Sequence, residues 1–175
     1  RVEAISEELL DAIEESGQRQ FDLIEQYSYP LPVIVIAELL GIPKEDQDRF
    51  RRWTKALLFG QGDPARAALE TVSYFNDIFA QRRADPRDDL ISGLLAAEEA
   101  GDKLDYQELL SMIFLLLVAG HETTVNLITT GMLTLMQHPQ QMERLVAEPS
   151  LIRTAVEEML RYHGPVENTL SRWSG

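Results

Sequence analysis

Apolar residues recur at helical spacing along almost the whole chain. In the first stretch, Val2 to Glu15, apolar side chains fall on one face and acidic side chains lie largely around the other, which predicts an amphipathic surface helix. Capping residues, glycines and prolines divide the remaining sequence into further helical segments. These segments are Val33–Leu40, the stretch from Pro43 to a break at Phe59–Pro64, Ala65–Arg83, Leu90–Ala100, Asp105–Gln137, a polar helix from Pro139, and Leu151–Tyr162.

The pattern is ambiguous in one region, Pro30 to Ala37, where prolines and β-branched residues allow a short strand or an extended turn. Elsewhere the predicted elements are helical, so we expect an all-α fold with a single domain over residues 1–175. Two glycines and an Asp-Pro pair make Phe59 to Pro64 a candidate flexible segment.

The longest predicted helix, Asp105 to Gln137, has glycine only at two internal positions and no internal proline. At 1.5 Å per residue it would be roughly 50 Å long, which indicates that it crosses a large body. The part from Met112 to Ala119 is apolar on every side, so we expect it to be covered all round.

Composition narrows the classes of function. The chain has 29 acidic and 16 basic residues and a net charge of −13, which argues against nucleic-acid or anionic-membrane partners. No secretory signal is evident, and the apolar run Met112–Gly120 is too short to span a bilayer before Glu122 interrupts it. We therefore expect a cytoplasmic protein. The absence of cysteine excludes disulfides, a thiol nucleophile, and a thiolate ligand to zinc or haem from this chain.

The candidate chemistry lies in the middle of the long helix, at Ala119-Gly120-His121-Glu122-Thr123-Thr124. Gly120 beside Ala119 leaves a flat surface, which suits close helix packing or a planar ligand. Glu122 is a carboxylate where burial would be costly, and the Thr123 hydroxyl can bond the carbonyl of Ala119 or Gly120. These residue types fit a proton relay. They fit hydrogen-bonded polar groups in a core equally well.

A side-chain metal site is not predicted. His121-Glu122 begins like a zinc-protease motif, but that motif needs a second histidine at position 125, which is Val125. The other histidines, His138 and His163, lie at predicted helix boundaries, where a solvated or capping role is the simpler interpretation.

A second group of polar residues follows the long helix. Glu158 and Arg161 are three residues apart on a predicted helix and can pair. Most such pairs are exposed and contribute about 0–1 kcal/mol, so this signal is weak alone. Pro165-Val166 and then Arg172 follow, and Arg172 is a cation that could reach an anionic ligand group.

Together, the motifs from Ala119 to Thr124, from Glu158 to Arg161, at Pro165-Val166 and at Arg172 resemble the cytochrome P450 family, particularly its soluble bacterial members. The segments Tyr29–Val33, Glu38–Pro43, Asp88–Ile91 and Asp105–Leu109 also look like that family's connecting segments. The resemblance covers essentially the whole chain and implies a P450-like helical array around one long central helix.

The resemblance implies roles for individual residues. Ala119 and Gly120 would lie beside the haem, and Glu122 and Thr123 would be the acid and alcohol that manage dioxygen and its protons. Glu158 and Arg161 would form a buried structural ion pair. The remaining implied roles are contact of Arg172 with a haem propionate, and substrate contacts for Val166, Glu167, Asn168 and the break at Phe59–Pro64.

The sequence departs from the family in lacking the cysteine that ligates haem iron. We therefore expect the central part of a longer protein, and the resemblance implies that this protein is a haem-thiolate monooxygenase that acts on an apolar small molecule with electrons from a ferredoxin or flavin reductase. The 175-residue chain alone should be inactive, should bind no haem natively, and should self-associate through exposed apolar surface. The alternatives are a haem-free P450-like binding or interaction module and an unrelated helical protein.

Overall fold

The computed structural model describes residues 1–99 and 105–166, and over these residues the secondary structure is helical, without strands. A π-helix, Ile24–Ser28, follows the first α-helix, and a short 3₁₀ turn, Pro149–Leu151, precedes the last one. The α-helices are α1 Val2–Glu15, α2 Pro30–Leu40, α3 Lys44–Phe59, α4 Pro64–Ala84, α5 Leu90–Glu99, α6 Tyr106–Gln137, α7 Pro139–Ala147 and α8 Ile152–Tyr162.

Local capping explains several helix boundaries. Asp105 and Glu108 form a reciprocal capping box at the start of α6, with hydrogen bonds of 2.9 and 2.8 Å. The Asp63 carboxylate accepts a hydrogen bond from the Arg66 amide at the start of α4. Gly41 ends α2 in the left-handed conformation, at φ +75°.

The main core is built by α2 to α6. Its largest fully buried side chains come from α2, α3, α4, α5 and α6 in turn, and they include Leu40, Phe50, Phe79, Ile91 and Leu109. By contrast, α7 and α8 contain no buried residues. They lie along the carboxyl-terminal part of α6, where a Cβ on Gly131 would approach the Met159 sulfur to 2.8 Å. Gly131 thus leaves room for the Met159 side chain of α8.

A buried ion pair ties three elements together next to this core. Arg82 of α4 and Asp89, just before α5, approach to 2.6 Å, and their side chains are only 2% and 5% exposed. Arg82 also donates to the Gly41 carbonyl at 2.8 Å, and the Ser92 amide donates to Asp89 at 2.8 Å. The pair therefore holds the turn after α2 and the start of α5 against α4.

One local prediction needs correction. Residues 30–37 form the first turns of a helix and not a strand, because proline is well tolerated in the first turn of a helix. The π-helix lies between α1 and α2, and the Ser150 hydroxyl donates to Glu148 at 3.3 Å and does not cap α8. In α4, Leu69 and Val72 are exposed, while Thr71 and Tyr74 take the buried positions.

The expectation that the middle of α6 is covered on every side is also wrong for this chain. Ile113 and Leu117 are buried, whereas Met112, Phe114 and Leu115 are exposed, Leu115 by 65%. Within the described residues α6 is long and apolar enough to cross a bilayer by length and composition, since an 18-residue window of it has a mean hydropathy of 1.5. A central helix of a soluble domain can share these properties.

Candidate functional site

The middle of α6 has one buried side and one open side. Buried residues recur every four positions, and they are Leu109, Ile113, Leu117, His121 and Val125. Ala119, Gly120 and Glu122 are exposed. Because this helix packs chiefly on α2 and the π-helix, its opposite face is accessible along the predicted site.

Gly120 provides little evidence for tight helix packing. A Cβ added to Gly120 would meet only the Ile36 side chain, with Cδ1 at 3.3 Å, and flexible side-chain atoms can shift to accommodate such a contact. With Ala119 exposed beside it, the backbone is accessible from the open side. The small side chains here, next to exposed Leu115 and Met112, fit a flat apolar ligand such as a porphyrin.

The Thr123 hydroxyl donates to the Ala119 carbonyl at 2.6 Å, as one of the two predicted bonds. Thr124 makes the equivalent bond to Gly120 at 2.8 Å. Three later threonines of α6, Thr129, Thr130 and Thr134, make similar bonds, so this interaction alone does not identify a functional hydroxyl. A hydroxyl that donates in this way still has lone pairs with which to accept. Thr123 can therefore accept a hydrogen bond from a water molecule on the open side.

Glu122 is exposed, so its carboxylate does not bear the cost of burial that its place in an apolar helix suggested. An exposed carboxylate needs no buried partner and can exchange protons with solvent. Glu122 beside Thr123 is thus suited to proton delivery. The alternative, a hydrogen-bonded polar group in the core, does not describe Glu122 in this chain, because its side chain is exposed.

His121 is the buried polar residue of the motif, with no exposed surface. Its ring lies edge to face against Tyr29, with the ring centroids 4.6 Å apart and the planes at 76°. Burial lowers the pKa of His121, and a hydrogen bond involving the Tyr29 backbone partly opposes that shift. The imidazole is therefore held neutral near pH 7. The burial of His121 was not predicted from the sequence, although His121 continues the four-residue repeat of buried positions in α6.

Glu158 and Arg161 form the predicted pair, and the contact is bidentate at 2.6 and 2.7 Å. The hydrogen bond from Arg161 lowers the pKa of Glu158, and desolvation opposes it. Their side chains are 57% and 69% exposed, so the implied burial is absent in this chain. The carboxylate and guanidinium remain accessible to further partners.

The remaining predicted site residues are only partly described. Val166 is exposed, while Glu167, Asn168 and Arg172 lie outside the described residues. The break at Phe59–Pro64 is confirmed: α3 ends at Phe59, and Gly60 and Gly62 have φ of +64° and +113°. Across residues 1–99 and 105–166, no group of three or more metal-binding side chains is found.

A separate groove of about 450 Å³ lies between the carboxyl-terminal part of α6 and helices α7 and α8. Its walls include Leu135, Leu145, Met159 and Tyr162. One wall of this groove is formed by α8, the helix that carries Glu158, and the groove is not lined by the Ala119–Thr124 segment. It is thus distinct from the open face of the motif.

Comparison with known protein sequences identifies a matching family and related proteins. A family model described as Cytochrome P450 matches residues 65–174. Cytochrome P450 CYP107DY1 of Priestia megaterium is 49% identical over 172 residues, covering 95% of this chain and 42% of the relative. Cytochrome P450 monooxygenase PikC of Streptomyces venezuelae is 45% identical over 177 residues, covering 99% and 42%.

Solved structures agree with the sequence comparison. The crystal structure of myxobacterial cytochrome P450 CYP267B1 in complex with myristic acid matches with a TM-score of 0.86 and 50% identity, covering 99% of this chain and 44% of that one. The chain therefore spans less than half the length of the relatives it matches. Within that span, the all-α array around one long helix is confirmed.

Proposed function

Because the chain belongs to the cytochrome P450 family, we propose that it forms the dioxygen side of the haem site in a haem-thiolate monooxygenase. The orientation of α6 carries this proposal. Ala119 and Thr123 share one side of the helix, with Ala119 exposed, and the exposed Gly120 adds no side chain beside them. The parent protein would insert one oxygen atom into an apolar organic substrate.

Haem, when bound, supplies the iron at which dioxygen is activated. Ala119 and Gly120 would lie against the macrocycle, because larger side chains there would exclude a planar group. Thr123 would accept a hydrogen bond from a water molecule and orient it, while Glu122 would take protons from solvent and pass them toward that water. In the relay, Thr123 therefore positions the water molecule, and Glu122 exchanges protons with solvent.

The cysteine that ligates iron would come from a part of the protein outside these 175 residues, since they contain none. Arg172 would neutralise a haem propionate, and the residues proposed to contact substrate are Val166, Glu167, Asn168 and the segment Phe59–Pro64. Glu158 and Arg161 would keep their structural role, with burial supplied by the rest of the domain. The parent is proposed to be cytoplasmic and to receive electrons from a ferredoxin or flavin reductase.

An apolar substrate is supported by the open face itself. Leu115 and Met112 are exposed on the same side of α6 as Ala119, and such side chains recognise apolar ligands by shape and burial. The related structure that contains myristic acid is consistent with this class.

The proposal is tested by carbon monoxide difference spectroscopy on two proteins, the 175-residue chain and the longer protein that contains it. After reduction, the longer protein should show the thiolate-type Soret band, and the 175-residue chain with added haem should not. A longer protein without that band would contradict haem-thiolate chemistry and favour a haem-free binding module. The band in the short chain would contradict the assignment of the thiolate to another segment.

A further inference from the structure

His121 lies between two residues of the proposed relay but points to the other side of α6. Successive residues of an α-helix are about 100° apart, so a residue two positions away points about 160° away. Ala119 and Thr123 are each two positions from His121, and they share a face because they are four positions apart. Fixing the direction of His121 therefore fixes the direction of both.

The partner of His121 is itself held by several elements. Tyr29, just before α2, is 4% exposed and presents its ring to His121 at 4.6 Å. The Lys55 ammonium of α3 lies 4.6 Å from the Tyr29 ring centroid and also contacts Glu25 of the π-helix at 2.6 Å. Tyr29 is thus bordered by α6, α3 and the π-helix, and these contacts hold its ring in a fixed position against α6.

We propose that His121 is a positioning residue, whose edge-to-face packing on Tyr29 sets the rotation of α6 and so directs Thr123 and Ala119 toward the open face. This inference rests on the proposed function for its catalytic consequence. The other buried residues nearby on α6 are aliphatic, and aliphatic contacts tolerate small rotations. An aromatic pair has preferred relative orientations. The His121–Tyr29 contact is therefore the orientation-specific one in this part of the helix.

The experiment compares four variants of the full-length protein: His121→Ala, Tyr29→Ala, Tyr29→Phe and Leu117→Ala. Tyr29→Phe keeps the ring and removes only the hydroxyl, whose contact with the Arg51 carbonyl is long, at 3.4 Å. Leu117→Ala is the matched control, because Leu117 is buried one turn earlier on the same side of α6. It creates a cavity without removing the aromatic pair.

Thermal unfolding gives the midpoint of each variant, and two further measurements are made. The first is the hydrogen peroxide released per mole of reductant consumed, which reports misdirected protons. The second is hydrogen exchange of backbone amides in residues 115–124, which reports local order without turnover. We expect His121→Ala and Tyr29→Ala to raise both by at least several-fold. Tyr29→Phe should match the wild type, and Leu117→Ala should lower the thermal midpoint while leaving peroxide release near the wild-type value.

Equal peroxide release by Leu117→Ala and His121→Ala at matched losses of thermal stability would overturn the positioning role, because general packing would then suffice. Wild-type behaviour of His121→Ala in both measurements would overturn it as well. If His121→Ala does not fold, the comparison of Tyr29→Ala with Tyr29→Phe gives the decisive result. A wild-type protein that forms no oxygenated product would refute the proposed function, while the exchange measurement would still decide whether the pair orders α6.

Discussion

Replacing Asp89 with alanine should be among the most destabilising single changes in the chain. Its carboxylate is 5% exposed, lies 2.6 Å from the Arg82 guanidinium, and accepts the Ser92 amide at the start of α5. Removing one partner of a buried ion pair leaves the other charge buried and costs about 3–5 kcal/mol. Loss of the helix cap adds about 1 kcal/mol. Arg82 would retain its bond to Gly41, so the expected loss is about 4 kcal/mol.

The assay is equilibrium urea unfolding of the wild type and of Asp89→Ala in the full-length protein, followed by circular dichroism. Asp48→Ala is the control, because it removes a carboxylate from an ion pair with Arg51 in which the Asp48 side chain is 86% exposed. That variant should unfold at nearly the wild-type urea concentration, because a surface ion pair contributes only about 0–1 kcal/mol. A loss below about 1 kcal/mol for Asp89→Ala would refute the reasoning, since the Arg82 charge would then be readily rehydrated.

Three further predictions concern the same contacts and the exposed surface. Gly41→Ala should lower the free energy of unfolding in urea by about 2 kcal/mol or more, because φ is +75° and the new Cβ would lie 2.2 Å from the Asp89 carboxylate. Gly17→Ala is the control, since Gly17 has φ +63° but lies in open space, and this variant should lose less stability. The stability difference between wild type and Asp89→Ala should shrink as pH falls below about 4. Desolvation raises the pKa of Asp89, but hydrogen bonds from Ser92 and Arg82 outweigh desolvation and lower the pKa overall. The stabilisation by the Asp89 carboxylate is therefore present above the unfolded-state pKa and is lost as pH falls through the folded-state pKa. A pH-independent difference would contradict that assignment. The isolated 175-residue chain should self-associate in sedimentation velocity, because α6 to α8 expose large apolar side chains such as Leu115, Met136 and Val146; a monomer at all concentrations would contradict it.

Much of the fold could be predicted from the sequence because the helices carry local signals. The bounds of α1 follow from amphipathic spacing, the start of α6 from Asp105, and the end of α2 from Gly41. The π-helix and the Arg82–Asp89 pair could not be predicted in this way, since both depend on packing between segments. The pattern also could not show which sides of an apolar helix are covered, as Leu115 illustrates.

The candidate site was predicted in part for the same reason. The Thr123 bond to Ala119 is local to one helix, so spacing was sufficient to propose it. Burial of His121 rather than Glu122 is a property of how α6 lies against Tyr29. The four-residue repeat from Leu109 to Val125 contains that information, because it places His121 among the buried positions. The roles of Glu122, Arg172 and the substrate-contact residues stay predictions.

The most direct test of the proposed relay is the coupling of reductant consumption to product in Thr123→Ala of the full-length protein. Thr124→Ala serves as the control, because Thr124 is the same residue type and makes the same kind of bond to the helix backbone, but points about 100° away. Thr123→Ala should raise peroxide release relative to product by at least several-fold, and Thr124→Ala should not. Unchanged coupling in Thr123→Ala, or an equal rise in both variants, would contradict the assignment of Thr123 to the relay.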